Sequence, residues 1–257
     1  MAVLLSVKHD FARLAATLDD FGRKQLPFAA ALALTRSAYQ ARSDLREAME
    51  RTFDRPKPFT LNSLYVEAAK KTKLEANVHF RDFAPKGVPA GKYLRAQILG
   101  GQRALKAHER RLAAAGVLPD GMALVPTRYA DQDKHGNMVP GQVVKILSAL
   151  QAQRDSGQNQ GAFGGKARGK RRESYFAIVP GRPQGRGARG GGLPPAIYKV
   201  HGSALGRIVL PVLVYVKAPP RYAPRFDFDA IAMRSVEENL PLLLGGALER
   251  ALATAKP

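Results

Sequence analysis

The strongest constraint on this chain lies between Pro27 and Pro56. Phe28, Ala31, Leu32, Thr35, Ala38, Tyr39, Arg42, Leu45 and Met49 recur there with the 3.6-residue period of a helix. Pro27 suits a first-turn position, and Pro56 with Pro58 forbids continuation. Upstream, Phe11, Leu14 and Leu18 keep helical spacing behind Asp10, and Gly22 reads as a break. Residues 8–53 are therefore predicted as an N-terminal helical segment ending in a helix with a small, alanine-rich face. A face of that kind must pack closely on another helix or on a sheet.

At Phe59 the period switches to two. Residues 60–71 and 74–81 read as strands joined by a hairpin turn at Lys71, Thr72 and Lys73. Leu74, Ala76, Val78 and Phe80 lie on one side, with Glu75, Asn77, His79 and Arg81 on the other. Residues 89–115 return to helix, with Leu94, Ile98, Gly101, Leu105, His108 and Leu112 as a stripe and Arg95, Arg103, Lys106 and Arg110 opposite. Gly100 and Gly101 inside that helix would cost roughly 2 kcal/mol against two alanines, a cost that points to close approach of another backbone. Both are assigned as candidate subunit-packing residues.

A short strand is predicted over 122–130, a turn over 131–137, and a short helix over 141–151 with Val144, Leu147 and Leu150 on one face. Strands follow near 174–179, over 196–201 and over 207–217. Pro211 makes the last an edge or bulged strand. Asp227 or Asp229 caps a C-terminal helix over 227–254, kinked or restarted at Pro241. The fold class is α+β: a long N-terminal helix, antiparallel strands with additional helices, and a C-terminal helix, within a single domain over 1–257. The lack of repeated βαβ alternation argues against a doubly wound nucleotide fold.

Charge narrows the function. The chain has 41 Lys+Arg against 21 Asp+Glu, a net charge of +20, which suits a polyanion: nucleic acid, an anionic membrane surface or an acidic protein. The stretch 154–195 reads as a flexible Gly/Arg-rich insert holding 11 of the 24 glycines. Its Lys166, Arg168, Lys170, Arg171, Arg172, Arg182, Arg186 and Arg189 are the candidate polyanion or partner contacts. No cysteine occurs, which removes disulfides, thiolate metal sites and a thiol nucleophile. Ala2–Leu5 is too short for a signal sequence, and no apolar run reaches the roughly 18–20 residues of a membrane span. The expectation is a soluble protein with no membrane partner.

Catalytic motifs fail one by one. Gly185, Gly187 and Gly190 fit G-x-G-x-x-G, but Gly191, Gly192, Leu193, Pro194 and Pro195 follow, and no helix begins that way. Gly164, Gly165 and Lys166 lack the remaining residues of a phosphate loop. His9, His79, His108, His135 and His201 form no compact ligand pair, and Gly202 with Ser203 is not a nucleophile elbow. His108 reads as a packed residue and His135 as a turn residue. No catalytic residue, metal ligand or cofactor site is assigned, and the chain is expected not to be an enzyme.

Several segments resemble the minor tail and tail-completion proteins of long-tailed bacteriophages, the minor tail protein Z group. They are Pro27–Arg36; the spaced set Tyr93, Leu94, Gly100, Gly101, Arg103, Lys106, Glu109 and Leu112; the set Asp133, Gly136, Asn137, Gly141, Gln142, Ile146, Leu147 and Ser148; and Phe226–Thr254. Together they span about half the chain. The resemblance implies a structural virion protein made in the host cytoplasm, sited in the tail or neck. It would complete or cap the tail at the head–tail junction as one subunit of a homo-oligomeric ring, commonly a hexamer. Implied partners are the tail terminator, the tail tube or the head connector, with genomic DNA within reach of the basic insert. The alternative is a non-enzymatic nucleic-acid-binding protein whose Arg189, Gly190 and Gly191 belong to an RGG-like segment.

Overall fold

A computed structural model describes residues 2–3, 20–85, 87–159, 174–182, 192–203 and 206–254. The architecture is α+β. In place of a single domain over 1–257, the chain forms two compact units, one from residues 1–101 and 222–257 and the other from 102–221. The sequence concealed the division because the first unit is assembled from both ends of the chain.

In the first unit, strand β1 (Ala2–Val3) precedes helix α1 (Asp20–Thr52), followed by the short helix α2 (Pro58–Leu61) and strands β2 (Leu64–Glu67) and β3 (Asn77–Phe80). Helix α1 runs through both Gly22 and Pro27, so the expected break at Gly22 does not occur. Pro27 lacks only the one N–H that would reach the Arg23 carbonyl. Between Leu26 and Met49, α1 turns twelve buried side chains inward, seven of them alanine. Alanine is what that environment requires, because neighbours approach α1 on more than one side.

Ala33, Ala41, Leu45 and Met49 are fully buried with Ala232, Val236 and Leu240 of the closing helix, and with Leu64, Val66, Val78 and Phe80 of the sheet. The hairpin register pairs Leu64 with Phe80 and Val66 with Val78. Lys70 and Lys73 exchange backbone hydrogen bonds of 2.9 and 3.0 Å around the turn. β1 adds antiparallel to the other side of β3. Helix α3 (Ala90–Ile98) packs Ala90 and Leu94 into the same core.

The predicted helix over 89–115 is two helices. α3 ends at Ile98, and the second, α4 (Ala107–Ala114), begins in the other unit. Between them Gly100 and Gly101 adopt φ of +75° and +98°, so they end a helix and do not lie inside one. The chain passes between units through two paired two-residue strands, β4 (Gly101–Gln102) and, on its return, β9 (Arg221–Tyr222).

The second unit continues from α4 through β5 (Ala123–Pro126), α5 (Pro140–Ala149), a single 3-10 turn, β6 (Ser174–Ile178), β7 (Ala196–Ser203) and β8 (Gly206–Val216). Its antiparallel sheet has the order β5-β8-β7-β6. Leu112, Leu124, Ile146, Leu147, Tyr175, Ile197 and Leu213 fill one side. Ile178, Ala196 and Tyr198 pack on the other, where Tyr198 stacks on Phe176 at 5.3 Å. In α5 it is Ile146 and Leu147 that face the core, and Val144 turns outward.

Pro211 lies on an internal strand, with the bulged alternative realised. Tyr198 opposes Pro211 and Ile197 opposes Leu213, so Val212 is the extra residue. Its carbonyl accepts a hydrogen bond from Thr127 N–H at 3.0 Å. The bulge lets a residue with no N–H sit inside a sheet.

Back in the first unit, helix α6 (Phe228–Thr254) packs along α1, and Asp227 caps it by accepting from Ala230 N–H at 3.0 Å. It runs through Pro241 without a restart. Pro241 is exposed, so the Glu237 carbonyl it frees can be hydrated. Ser235 Oγ donates to Asp44 Oδ2 between the two helices.

Leu45 is fully buried in this helix–helix core. Leu45→Ala is expected to cost about 2–5 kcal/mol, read as a lower urea midpoint with an unchanged slope.

Candidate functional site

Of the eight basic residues assigned to polyanion contact, Lys166, Arg168, Lys170, Arg171, Arg172, Arg186 and Arg189 lie outside the described residues. Arg182 is described. It sits exposed in the turn after β6, where its backbone N–H donates to the Val179 carbonyl at 3.3 Å. Its guanidinium Nη2 lies 3.1 Å from the point a Gly116 Cβ would occupy. Gly116 adopts a φ of +67°, a conformation that favours glycine.

Gly100 makes a close backbone approach within this chain. A Cβ there would stand 3.0 Å from Pro224 Cδ and 3.3 Å from the Tyr222 carbonyl oxygen, whereas nothing lies within 4 Å of the same point at Gly101. The helical setting that singled out the pair for subunit packing is therefore gone, and the approach at Gly100 is to residues of its own unit.

A compact set of charged groups surrounds Glu109. The helical pattern placed Arg103 on an outward face. The structure instead puts it on the irregular segment before α4, folded onto Glu109, which is fully buried. The guanidinium grips the carboxylate with both terminal nitrogens at 2.6 and 2.7 Å, the strong bidentate geometry of this pair. The carboxylate also accepts from Lys106 N–H at 2.6 Å and from Leu124 N–H at 2.9 Å, and Arg103 Nη2 reaches the Leu124 carbonyl at 3.3 Å. Leu124 lies on β5, an edge strand. One ion pair thus caps the first turn of α4 and occupies the N–H and the carbonyl of Leu124 on the open side of that edge.

Burial acting alone would raise the Glu109 pKa. The Arg103 hydrogen bonds, the Leu124 and Lys106 N–H groups and the Arg103 charge together hold it below the ordinary carboxylate value. The carboxylate is held in its charged form and fully committed, which suits a fastener and not a proton carrier.

His108, next in sequence, is half-buried against Leu112, Met138, Val143, Ile146, Leu147 and Leu213. Desolvation, and then the Lys106 charge, lower its pKa to about 4. His135 sits in the turn whose Asp133 Oδ1 accepts from His135 N–H and Asn137 N–H at 2.9 and 3.0 Å. His79 packs against Tyr65 at 5.5 Å. His9 lies outside the described residues.

Among the described residues no three His, Asp or Glu side chains are placed to hold a metal ion, and no helix is long and apolar enough to cross a membrane. The first unit has a cleft of about 300 Å³ lined by Phe80, Gly91, Arg95, Ile98, Leu99, Phe228 and Asp229. Its lining offers one cation and one carboxylate and no nucleophile.

Sequence reasoning missed two features of this chemistry. The Arg103–Glu109 pair was hidden because a side chain's direction follows from where the helix starts, and the start was misplaced. The other is a set of exposed aromatic rings with cations over them: Lys71 over Phe28 at 5.1 Å, Arg42 over Tyr39 at 5.2 Å and Arg81 over Tyr65 at 5.9 Å. For Tyr39 and Arg42, three residues apart on a helix, the spacing alone carried the signal.

Arg103→Met leaves the Glu109 charge buried and unpaired. It is expected to cost about 3–5 kcal/mol, measured by chemical denaturation. Acid acts on the same cluster. The unfolded chain takes up the His108 proton near pH 6.5, the folded chain only near 4. Between those values the unfolded state holds more protons, so stability is complete above pH 6.5 and declines as pH falls toward 4. Glu109 adds to the loss in the same direction at the acid end. The melting temperature should fall across that window, and His108→Phe should flatten the upper part of the decline.

Comparison with family models, with curated proteins and with solved structures finds no match to this chain.

Proposed function

We propose that this chain is a structural virion protein of the phage tail or neck, completing or capping the tail at the head–tail junction as a ring subunit, and that it performs no chemistry. The observation that carries the reading is where the residues resembling minor tail proteins are spent. Arg103 and Glu109 form the buried fastener, and Leu112, Ile146 and Leu147 are core. Asp133 closes a turn. Gln142 Oε1 accepts from Asp131 N–H at 2.9 Å, and Ser148 Oγ donates to the Gln158 carbonyl at 2.7 Å. Phe226 is buried, and Ala29 and Ala33 line the α1 core. Every one of these side chains holds backbone or fills space. A pattern spent this way suits a scaffold, which is what the resemblance implies.

The net charge of +20 supplies the partner chemistry. An acidic tail or connector surface is the favoured docking target for the basic insert, with genomic DNA as the alternative polyanion. The reading predicts that mass spectrometry of purified virions finds the protein at a low, fixed copy number. Its absence from virions would overturn the proposal.

A second reading, a nucleic-acid-binding protein using the Gly/Arg-rich segment, draws on the eight basic residues clustered in that stretch. It predicts a log–log salt slope of roughly −6 on single strands and −7 on duplex DNA for eight contacts, measured by filter binding. An equal response to any acidic polymer would instead reflect charge attraction alone.

A further inference from the structure

Helices α1 and α6 share one core, yet residues 21–43 of α1 carry no acid while α6 carries an excess of it. On the first half of α1 the exposed side chains are few, Phe28, Tyr39, Gln40, Arg42 and Ser43, because most of that stretch is buried or half-buried. Phe28 and Tyr39 are 47% and 48% exposed. They lie three turns apart on the same side, about 16 Å along the axis. From residue 21 to 43 there is no acidic residue, and Arg36 and Arg42 have no carboxylate partner among the described residues. The last turns of α1 behave differently, pairing Arg46 with Glu50 at 3.4 Å and Arg51 with Glu47 at 3.2 Å. Unpaired cations are thus concentrated where the exposed aromatic rings are.

Helix α6 has the reverse character. It carries Asp229, Glu237, Glu238 and Glu249 against Arg234 and Arg250, a local excess of acid in a strongly basic chain. All four acids are exposed, and none forms an ion pair among the described residues. Met233 and Leu242, at 46% and 77% exposure, stand among them. An exposed leucine or tyrosine alone is ordinary. Here exposed large side chains stand beside cations on the first half of α1 and within an excess of acid on α6, and the two excesses are complementary.

We propose that the outer face of α1 docks on the outer face of α6 of a second copy of this chain. The inference deepens the ring-subunit reading and rests on it for the closure of the ring. Because the two faces differ, copies can join head-to-tail, and that arrangement generates a ring when the rotation between copies closes. A symmetric pairing of α1 faces would set Arg36 and Arg42 against themselves. An acidic protein or a nucleic acid could cover α1, but would leave the acids and Leu242 of α6 unmatched. A second copy answers both faces, and its aromatic and arginine anchors are the residue types that concentrate binding energy at protein interfaces.

The test is sedimentation velocity of the full-length protein over a range of protein and salt concentrations, with far-UV circular dichroism as the check on folding. Wild type should self-associate, less so in high salt. R36E/R42E and E237R/E238R should each weaken association by at least about tenfold, equivalent to 1.4 kcal/mol, with unchanged helicity. A chain carrying all four reversals should regain association, as should an equimolar mixture of the two double variants. If either double variant loses helicity, Tyr39→Ala and Leu242→Ser replace the pair; each should weaken association, and mixing them should recover dimers, because the unaltered α6 of one meets the unaltered α1 of the other. A wild type that stays monomeric, or variants that associate like wild type, overturns the interface. So does a monomer that binds an oligonucleotide through Arg36 and Arg42. Self-association that follows this pattern in a protein missing from virions would sink the tail reading and leave the interface standing.

Discussion

The first unit depends on the burial of most of the circumference of α1. A helix that meets a second helix and a sheet at once cannot carry large side chains on both contact sides, and α1 meets the demand with seven buried alanines and a few anchors such as Leu45 and Met49. Close approach follows, and with it the Ser235–Asp44 hydrogen bond that links α1 to α6. The same burial leaves the first half of α1 few exposed positions, Phe28 and Tyr39 among them. Core and surface are two consequences of one packing constraint.

The second unit is organised around a different interaction. Its sheet ends in β5, an edge whose backbone groups would otherwise be open to pairing with another chain. Glu109 and Arg103 occupy the N–H and the carbonyl of Leu124, while Pro126 brings no donor. The desolvation cost of burying such a pair is offset only when every polar group is satisfied, and here the carboxylate accepts four hydrogen bonds. That completeness explains why Glu109, the one fully buried charged side chain among the described residues, acts as a structural tie. His108 beside it is kept neutral by its apolar surroundings, which makes the same cluster sensitive to acid.

Much of the secondary structure was legible. The period of α1, the hairpin with its turn at Lys71–Thr72, and the Asp227 cap all depend on neighbours close in sequence. So did the consequence of Pro211, since a missing N–H inside a strand has few remedies and a bulge is one. The failures share a cause. The stripe from Leu94 to Leu112 kept a helical period across two helices belonging to different units, and periodicity does not register a change of unit. Gly22 and Pro27 were read as boundaries because local propensity disfavours them, but extensive burial further along outweighed a propensity cost of a few kcal/mol.

The candidate site divides in the same way. The amino-acid sequence by itself determined the α+β class, the positive charge and its accumulation between residues 154 and 195, because composition and short-range period are properties of the chain. Tertiary structure alone decided that the two ends of the chain build one unit, that Arg103 turns inward to Glu109, and that Tyr39 of α1 and Leu242 of α6 stay exposed. Each of those outcomes depends on which side of an element is buried. Burial is set by partners far away in sequence, and no local pattern carries that information.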